Sequence, residues 1–174
     1  MFDLPLHPKL VHLPIALSLV TPLLAAGILL AWSRGWLPRR SWAVVVLLQL
    51  LLAGGGWLAL KTGESEEERV EPVVAEAALS AHEEAAEGFV WAATALLLVA
   101  ALPLLPRRAG LAQGLAALAI VGSVVVLGLA YRTGRAGGEL VYRHGAATAW
   151  LDAGAAARAT SPSLTLGTPR DDDD

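Results

Sequence analysis

Four apolar runs, each about as long as a bilayer is thick, predict an all-α integral membrane protein folded as a four-helix bundle. Two further features support that reading. Arginine is concentrated in two short loops between the runs, and landmarks of the first half of the chain recur in the second.

The runs occupy residues 13–32, 42–60, 89–105 and 111–131 of the 174 in the chain. With 55% hydrophobic residues, 17% charged residues and a mean hydropathy of +0.56, the chain departs from a soluble domain, in which about 25% of residues are charged. Between their ends the runs contain no Asp, Glu, Lys, Arg or His; their polar residues are Ser18, Thr21, Gln49, Thr94, Gln113 and Ser123. Ion-coupled carriers keep ionisable groups at mid-membrane, so this pattern argues against that class. The sequence MFDLPLHPKLVH ahead of the first run lacks the basic region of a signal peptide, and the run is read as a permanent helix. The chain has no cysteine, which excludes disulfides, thiolate metal sites, iron–sulfur clusters and c-type haem attachment.

The loops SRGWLPRRS and PRRAG carry five arginines and no acid, a cytoplasmic signature. Arg39, Arg40, Arg107 and Arg108 are therefore expected to set topology and to contribute little to packing. The opposite face holds both termini and the 61–87 segment, which has nine glutamates against Lys61 and Arg69. The expected arrangement is N-out and C-out in a bacterial inner membrane. Such segregated charge is a topology device, so nucleic acid is not an expected partner.

Residues 1–152 are expected to form one transmembrane domain, with helices over about 13–32, 42–60, 73–105 and 111–131. The N-terminal segment, 61–87 and 132–149 would form an outer cap, in which GESEEERVEP reads as a solvated loop. The tail over 153–174, rich in small residues and ending in four aspartates, is expected to be flexible.

Leu58-Ala-Leu-Lys-Thr-Gly recurs as Leu129-Ala-Tyr-Arg-Thr-Gly at an offset of 71, and Pro38-Arg-Arg recurs as Pro106-Arg-Arg at 68. His12 and His82 are 70 apart, in nearly the same register. These matches suggest two tandem helical hairpins related by a pseudo-twofold axis along the membrane normal, which would bring equivalent residues to one depth.

All four histidines, His7, His12, His82 and His144, fall on the outer side. Two imidazoles facing each other in a four-helix bundle are what a bis-histidine b-type haem requires, and the repeat selects His12 and His82 as that pair. The alternative is a single zinc, copper or iron ion held among the four histidines with Glu83, Glu84 or Glu87, although HEEAAE has no established metal spacing. The plainest alternative has no cofactor, with interfacial histidines bonded to loop backbone. No nucleophile–base pair, phosphate-binding loop or carboxylate dyad is present, so the reading leans away from an enzyme.

The segments HPKLVHLPIAL, TGESEEERVE, HEEAAE and GGELVYRHGAA, in that order, resemble the bacterial membrane family catalogued as domain of unknown function 2231, over about residues 5–148. The paired N-terminal histidines and the Tyr-x-His-Gly motif of that pattern match His7, His12, Tyr142, His144 and Gly145. The resemblance implies topology and recurring positions rather than an activity, and relatives joined to cytochrome-like modules point to a redox setting. The expected function is electron transfer at an outward-facing haem or metal site, with the lipid bilayer and a membrane redox complex or periplasmic electron carrier as partners. The alternative is a non-catalytic docking subunit of a larger membrane complex.

A reporter active only in the cytoplasm should be active when fused after Pro38 or Pro106 and silent at the C-terminus. The reverse pattern of activities would overturn the orientation.

Overall fold

The computed structural model describes residues 5–106 and 108–150. Arg107 and the expected tail over 153–174 lie outside the described residues. Helix α1 (His7–Leu10) is a single turn that leads into α2 (His12–Ser33); α3 (Ala43–Val70), α4 (Glu76–Ala101) and α5 (Ala109–Tyr142) follow. Short 3₁₀ turns at Arg39–Trp42 and Leu102–Leu104 flank the two arginine loops. The described residues contain no strand. Four helical stretches are long and apolar enough to cross a membrane. They pack as an up-down-up-down ring in which each long helix contacts its neighbours in sequence and α2 closes against α5.

Two helices run farther than expected. Helix α3 continues through the acidic stretch to Val70, where a solvated loop was expected, because Glu and Arg are good helix formers and the first strong breaker is Pro72. Helix α5 likewise continues through Gly134, Gly137 and Gly138 to Tyr142. The segments expected to form a cap are thus largely helical extensions. At the other end α2 stops at Gly35, whose φ of +75° suits a glycine and lets Trp36 N–H bond back to the Ala31 carbonyl.

Small residues dominate the bundle interior. Ala25, Ala100, Ala116 and Ala119 surround Trp42 and Val45 near the arginine loops, and Ala53, Ala93 and Ala130 pack with Leu52, Phe89, Val90, Leu96 and Val126 toward the opposite end. Large residues such as Leu23 and Leu98, 70% and 68% exposed, point outward. This inverts the soluble pattern and fits helices that approach closely and present leucine to lipid.

Burial refines the repeat. Buried Pro14, Ser18, Thr21 and Ala25 of α2 recur 75 residues later as buried Phe89, Ala93, Leu96 and Ala100 of α4. Buried Trp42, Val45, Gln49, Leu52 and Gly56 recur 74 residues later as Ala116, Ala119, Ser123, Val126 and Ala130. The offset of 68 to 71 read from short sequence matches therefore lies about one helical turn away from the register in which the hairpins bury their faces.

The hairpins are joined by polar ties from α3 and its preceding turn. Trp42 Nε1 donates to the Ala100 carbonyl at 2.9 Å, and Gln49 Nε2 donates to the Ala93 carbonyl at 3.0 Å. Arg39 donates to the Leu104 carbonyl at 2.7 Å and also to the Pro106 carbonyl. Carbonyls at the end of α4 lack helical N–H partners, and a cation complements the negative end of a helix. The expectation that all four loop arginines contribute little to packing thus fails for Arg39, whose guanidinium bridges the two loops, whereas Arg40 and Arg108 are exposed.

In correctly inserted protein, Arg39→Gln should lower thermal stability in detergent by about 1.5–3 kcal/mol, the range for hydrogen bonds from a charged group. Arg40→Gln should change it by less than about 0.5 kcal/mol. Equal effects of the two substitutions would return Arg39 to a purely topological role.

Candidate functional site

The ends of α3, α4 and α5 away from the arginine loops and the single turn of α1 converge on two histidines. A carboxylate positions the first of them. Glu66 Oε1, one turn beyond Thr62 on α3, accepts the backbone N–H of Leu6 at 2.6 Å and of His7 at 3.3 Å, folding α1 against α3. Pro8, next to His7, suits this first helical turn, where an N–H is not needed.

His7 Nδ1 donates to the Ala59 carbonyl at 2.8 Å. A carbonyl can only accept, so the bond fixes the proton on Nδ1 and leaves Nε2 as the nitrogen with a lone pair in the neutral ring. The ring lies on Gly63, where an added Cβ would stand 3.3 Å from both Cε1 and Nδ1.

His82 on α4 has its ring centroid 6.2 Å from that of His7, with the planes at 82°. It rests on Gly137 of α5, where an added Cβ would lie 3.0 Å from Cε1. Its Nδ1 is buried without a hydrogen-bond partner among the described residues. Such groups are rare in native structures, and each calls for an explanation. The turn carrying His82 and Glu83 precedes the apolar run that begins at Phe89 and lies outside the membrane-crossing part of α4. Burial, and secondarily the charge of His7, lowers the His82 pKa below the ordinary histidine value, while a hydrogen bond of the ring with the Thr133 backbone opposes the shift. His82 thus stays a neutral imidazole, the form that binds metals, to a lower pH than a free histidine. Thr133 Oγ1 donates to the Ala85 carbonyl at 2.8 Å and fastens α5 to α4 one turn beyond His82.

Glu83 follows His82 on α4. Burial first, then the charge of Glu67 and a hydrogen bond with it, and then the charges of Glu87 and Glu64, raise its pKa. These glutamates do not complete a metal sphere: among the described residues no group of three or more histidine and carboxylate side chains is placed to hold one ion.

The histidines singled out by sequence therefore separate. His7 and His82 come together. His12, expected to pair with His82, is exposed at the start of α2 and makes no ring contact or hydrogen bond among the described residues. His144 follows α5, and its backbone N–H bonds to the Glu139 carbonyl at 3.2 Å. Offsets of 75 between His7 and His82 and 74 between Gly63 and Gly137 match the burial register, so each hairpin supplies one ring and one supporting glycine. Sequence reasoning missed the Ala59 carbonyl, the Glu66 cap and the two glycines. The Thr-Gly match marked Gly63 but pointed to Gly134 rather than Gly137.

The family model described as "Predicted membrane protein (DUF2231)" matches residues 3–150. The chain belongs to this family. No curated protein and no solved structure matches it. DUF2231 membership establishes a membrane protein with lipid around its helices, and the chemistry of its histidine pair has to be argued from the site itself.

Neighbouring glycines provide a test of the site's packing. A Cβ at Gly138 meets nothing within 4 Å, so Gly138→Ala should gain about 0.5–1 kcal/mol from helix propensity. Gly137→Ala should instead cost about 1–2 kcal/mol, because the added methyl displaces the His82 ring. Thermal denaturation of the purified variants measures both, and a gain at Gly137 would show that the ring is not seated there.

Proposed function

We propose that His7 and His82 are the two protein ligands of one redox-active metal group at the outer boundary of the membrane, and that the protein passes electrons through it. The observation that carries the reading is the buried, unpartnered Nδ1 of His82 beside a second imidazole whose Nδ1 is already committed to a backbone carbonyl. A purely tethering role accounts for His7, whose ring bonds to Ala59. It leaves the His82 Nδ1 without a partner among the described residues, although the ring also has a hydrogen bond with the Thr133 backbone.

Two imidazoles on opposite sides of one metal atom, each nitrogen about 2 Å from it, stand roughly 6 Å apart between ring centroids. The observed 6.2 Å is close to that spacing. A donor set of two neutral imidazoles suits a group that brings its remaining ligands with it, and b-type haem is the cofactor of that kind. A lone zinc, copper or iron ion would need further ligands from water or from a partner.

Haem would supply reversible one-electron transfer. The residues of the chain do the rest: Ala59 holds the His7 tautomer and orientation, as carbonyls do for metal-bound histidines. Glu66 holds α1 in place, while Gly63 and Gly137 let the rings lie against helix backbone. In the N-out orientation that the arginine loops favour, the pair faces the periplasm of a Gram-negative host, within reach of a soluble carrier or a membrane redox complex.

Purified protein from cells grown with a haem precursor should have a Soret band, with resolved α and β bands after reduction. His7→Ala and His82→Ala should each abolish the low-spin spectrum, while His12→Ala and His144→Ala should retain it. Full spectra in both of the first two variants, or loss with His12→Ala alone, would overturn the assignment. Protein with neither haem nor bound metal after reconstitution with each would favour a docking subunit.

A further inference from the structure

At the arginine-bearing end of the bundle, an open groove of about 390 Å³ runs over the surface between α2 and α5, lined by Ala26, Leu29, Leu30, Ser33, Gln113 and Ile120. Four of these residues form an apolar strip; the two polar ones stand at its loop end. The Gln113 amide is half-buried and makes no hydrogen bond among the described residues. An amide without a partner at the edge of hydrocarbon is costly, so its neighbour in the native membrane should offer an acceptor. Ser33 Oγ donates to the Leu30 carbonyl at 2.8 Å and keeps its lone pairs free to accept.

Charge selects the neighbour. Arg34 directly follows Ser33, and Arg108 caps the start of α5 five residues before Gln113. Both side chains are exposed and form no ion pair among the described residues, in contrast to Arg39. The chain contains no Asp or Glu from residue 4 to 63 or from 88 to 138, so nothing acidic at this end offsets them.

We propose that this groove seats an anionic phospholipid, with an acyl chain along Ala26, Leu29, Leu30 and Ile120. Gln113 meets its ester carbonyl, and Arg34 and Arg108 meet its phosphate. A neutral quinone carries no charge to match the two arginines, and a second copy of the chain would bring like charge to this face. The seat is independent of the histidine pair, which lies at the other end of the bundle.

The test titrates lipid into the full-length protein in a neutral detergent and follows thermal midpoint and lipid-bound species by native mass spectrometry. Phosphatidylglycerol should bind with saturation and be preferred over phosphatidylcholine of the same chains by about 25-fold, taking about fivefold for each basic residue near an anionic lipid. Arg34→Gln with Arg108→Gln should remove most of that preference, and Gln113→Leu should weaken both lipids. Arg40→Gln, at the same end but outside the groove, should leave the preference intact. Equal binding of the two lipids, or an equal loss with Arg40→Gln, would overturn the seat in favour of diffuse surface charge. Saturation by a short-chain quinone that excludes phosphatidylglycerol would reassign it to a quinone, and the same stabilisation from inorganic phosphate alone would reduce it to an ion site.

Discussion

Water cannot satisfy polar groups in the hydrocarbon of a bilayer, and this constraint organises the bundle. It bears hardest on helix ends and on the few polar side chains within the spans. Trp42 meets the Ala100 carbonyl in the last turn of α4 and Arg39 meets the Leu104 carbonyl in the 3₁₀ turn that follows, and two turns deeper Gln49 reaches the Ala93 carbonyl. Trp57 Nε1 donates to Thr94 Oγ1 at 3.1 Å, and that hydroxyl donates to the Val90 carbonyl at 2.8 Å. The α3–α4 interface is therefore the polar seam that fixes how one hairpin sits on the other. The α2–α5 interface differs in kind: Ser18 and Ser123 bond within their own helices, and Thr21 Oγ1 is buried without a partner among the described residues. Small side chains rather than cross-links bring those helices together.

The same pressure shapes the end away from the arginine loops, where the helices leave the hydrocarbon but remain packed. By continuing beyond the apolar runs, α3 and α5 carry Gly63 and Gly137 to the level of the imidazoles, so each ring rests on backbone rather than on a flexible loop. A loop over 61–71 would have offered neither the Ala59–Glu66 spacing nor the rigidity that holds α1. Glutamates crowd the same extensions, and burial together with the charge of Glu67 and a hydrogen bond with it raises the Glu83 pKa above the ordinary carboxylate value.

Hydropathy and arginine placement made the membrane fold and its four spans legible, because those signals depend on composition over about 20 residues. Features that depend on a single turn were less legible. The acidic run after Gly63 has the composition of a solvated loop as readily as of a helix, and only its continuity with α3 decides. The structural part played by Arg39 was hidden for a related reason. Its neighbour Arg40 is chemically identical, and which of the two reaches the facing loop depends on the 3₁₀ turn over Arg39–Trp42.

The choice between His7 and His12 illustrates what a repeat in sequence can and cannot carry. Matches such as Thr-Gly and Pro-Arg-Arg sit at helix ends and turns, where the chain can slip by a turn without changing which face of a helix is buried. The helix interiors cannot slip so freely, because a shift of three or four residues changes which side chains meet a given neighbour. Burial at 74 and 75 residues is therefore the register that packing enforces, and it makes His7, not His12, the counterpart of His82. Residues related by a pseudo-twofold axis can meet only where they lie close to that axis, and the two rings do meet, 6.2 Å apart. An axis relating the two hairpins would have to pass between them, at the one place among the described residues where side chains matched by the burial register pair as rings. A ligand held there would draw one donor from each half of the protein, so both hairpins would have to be in register before it could bind.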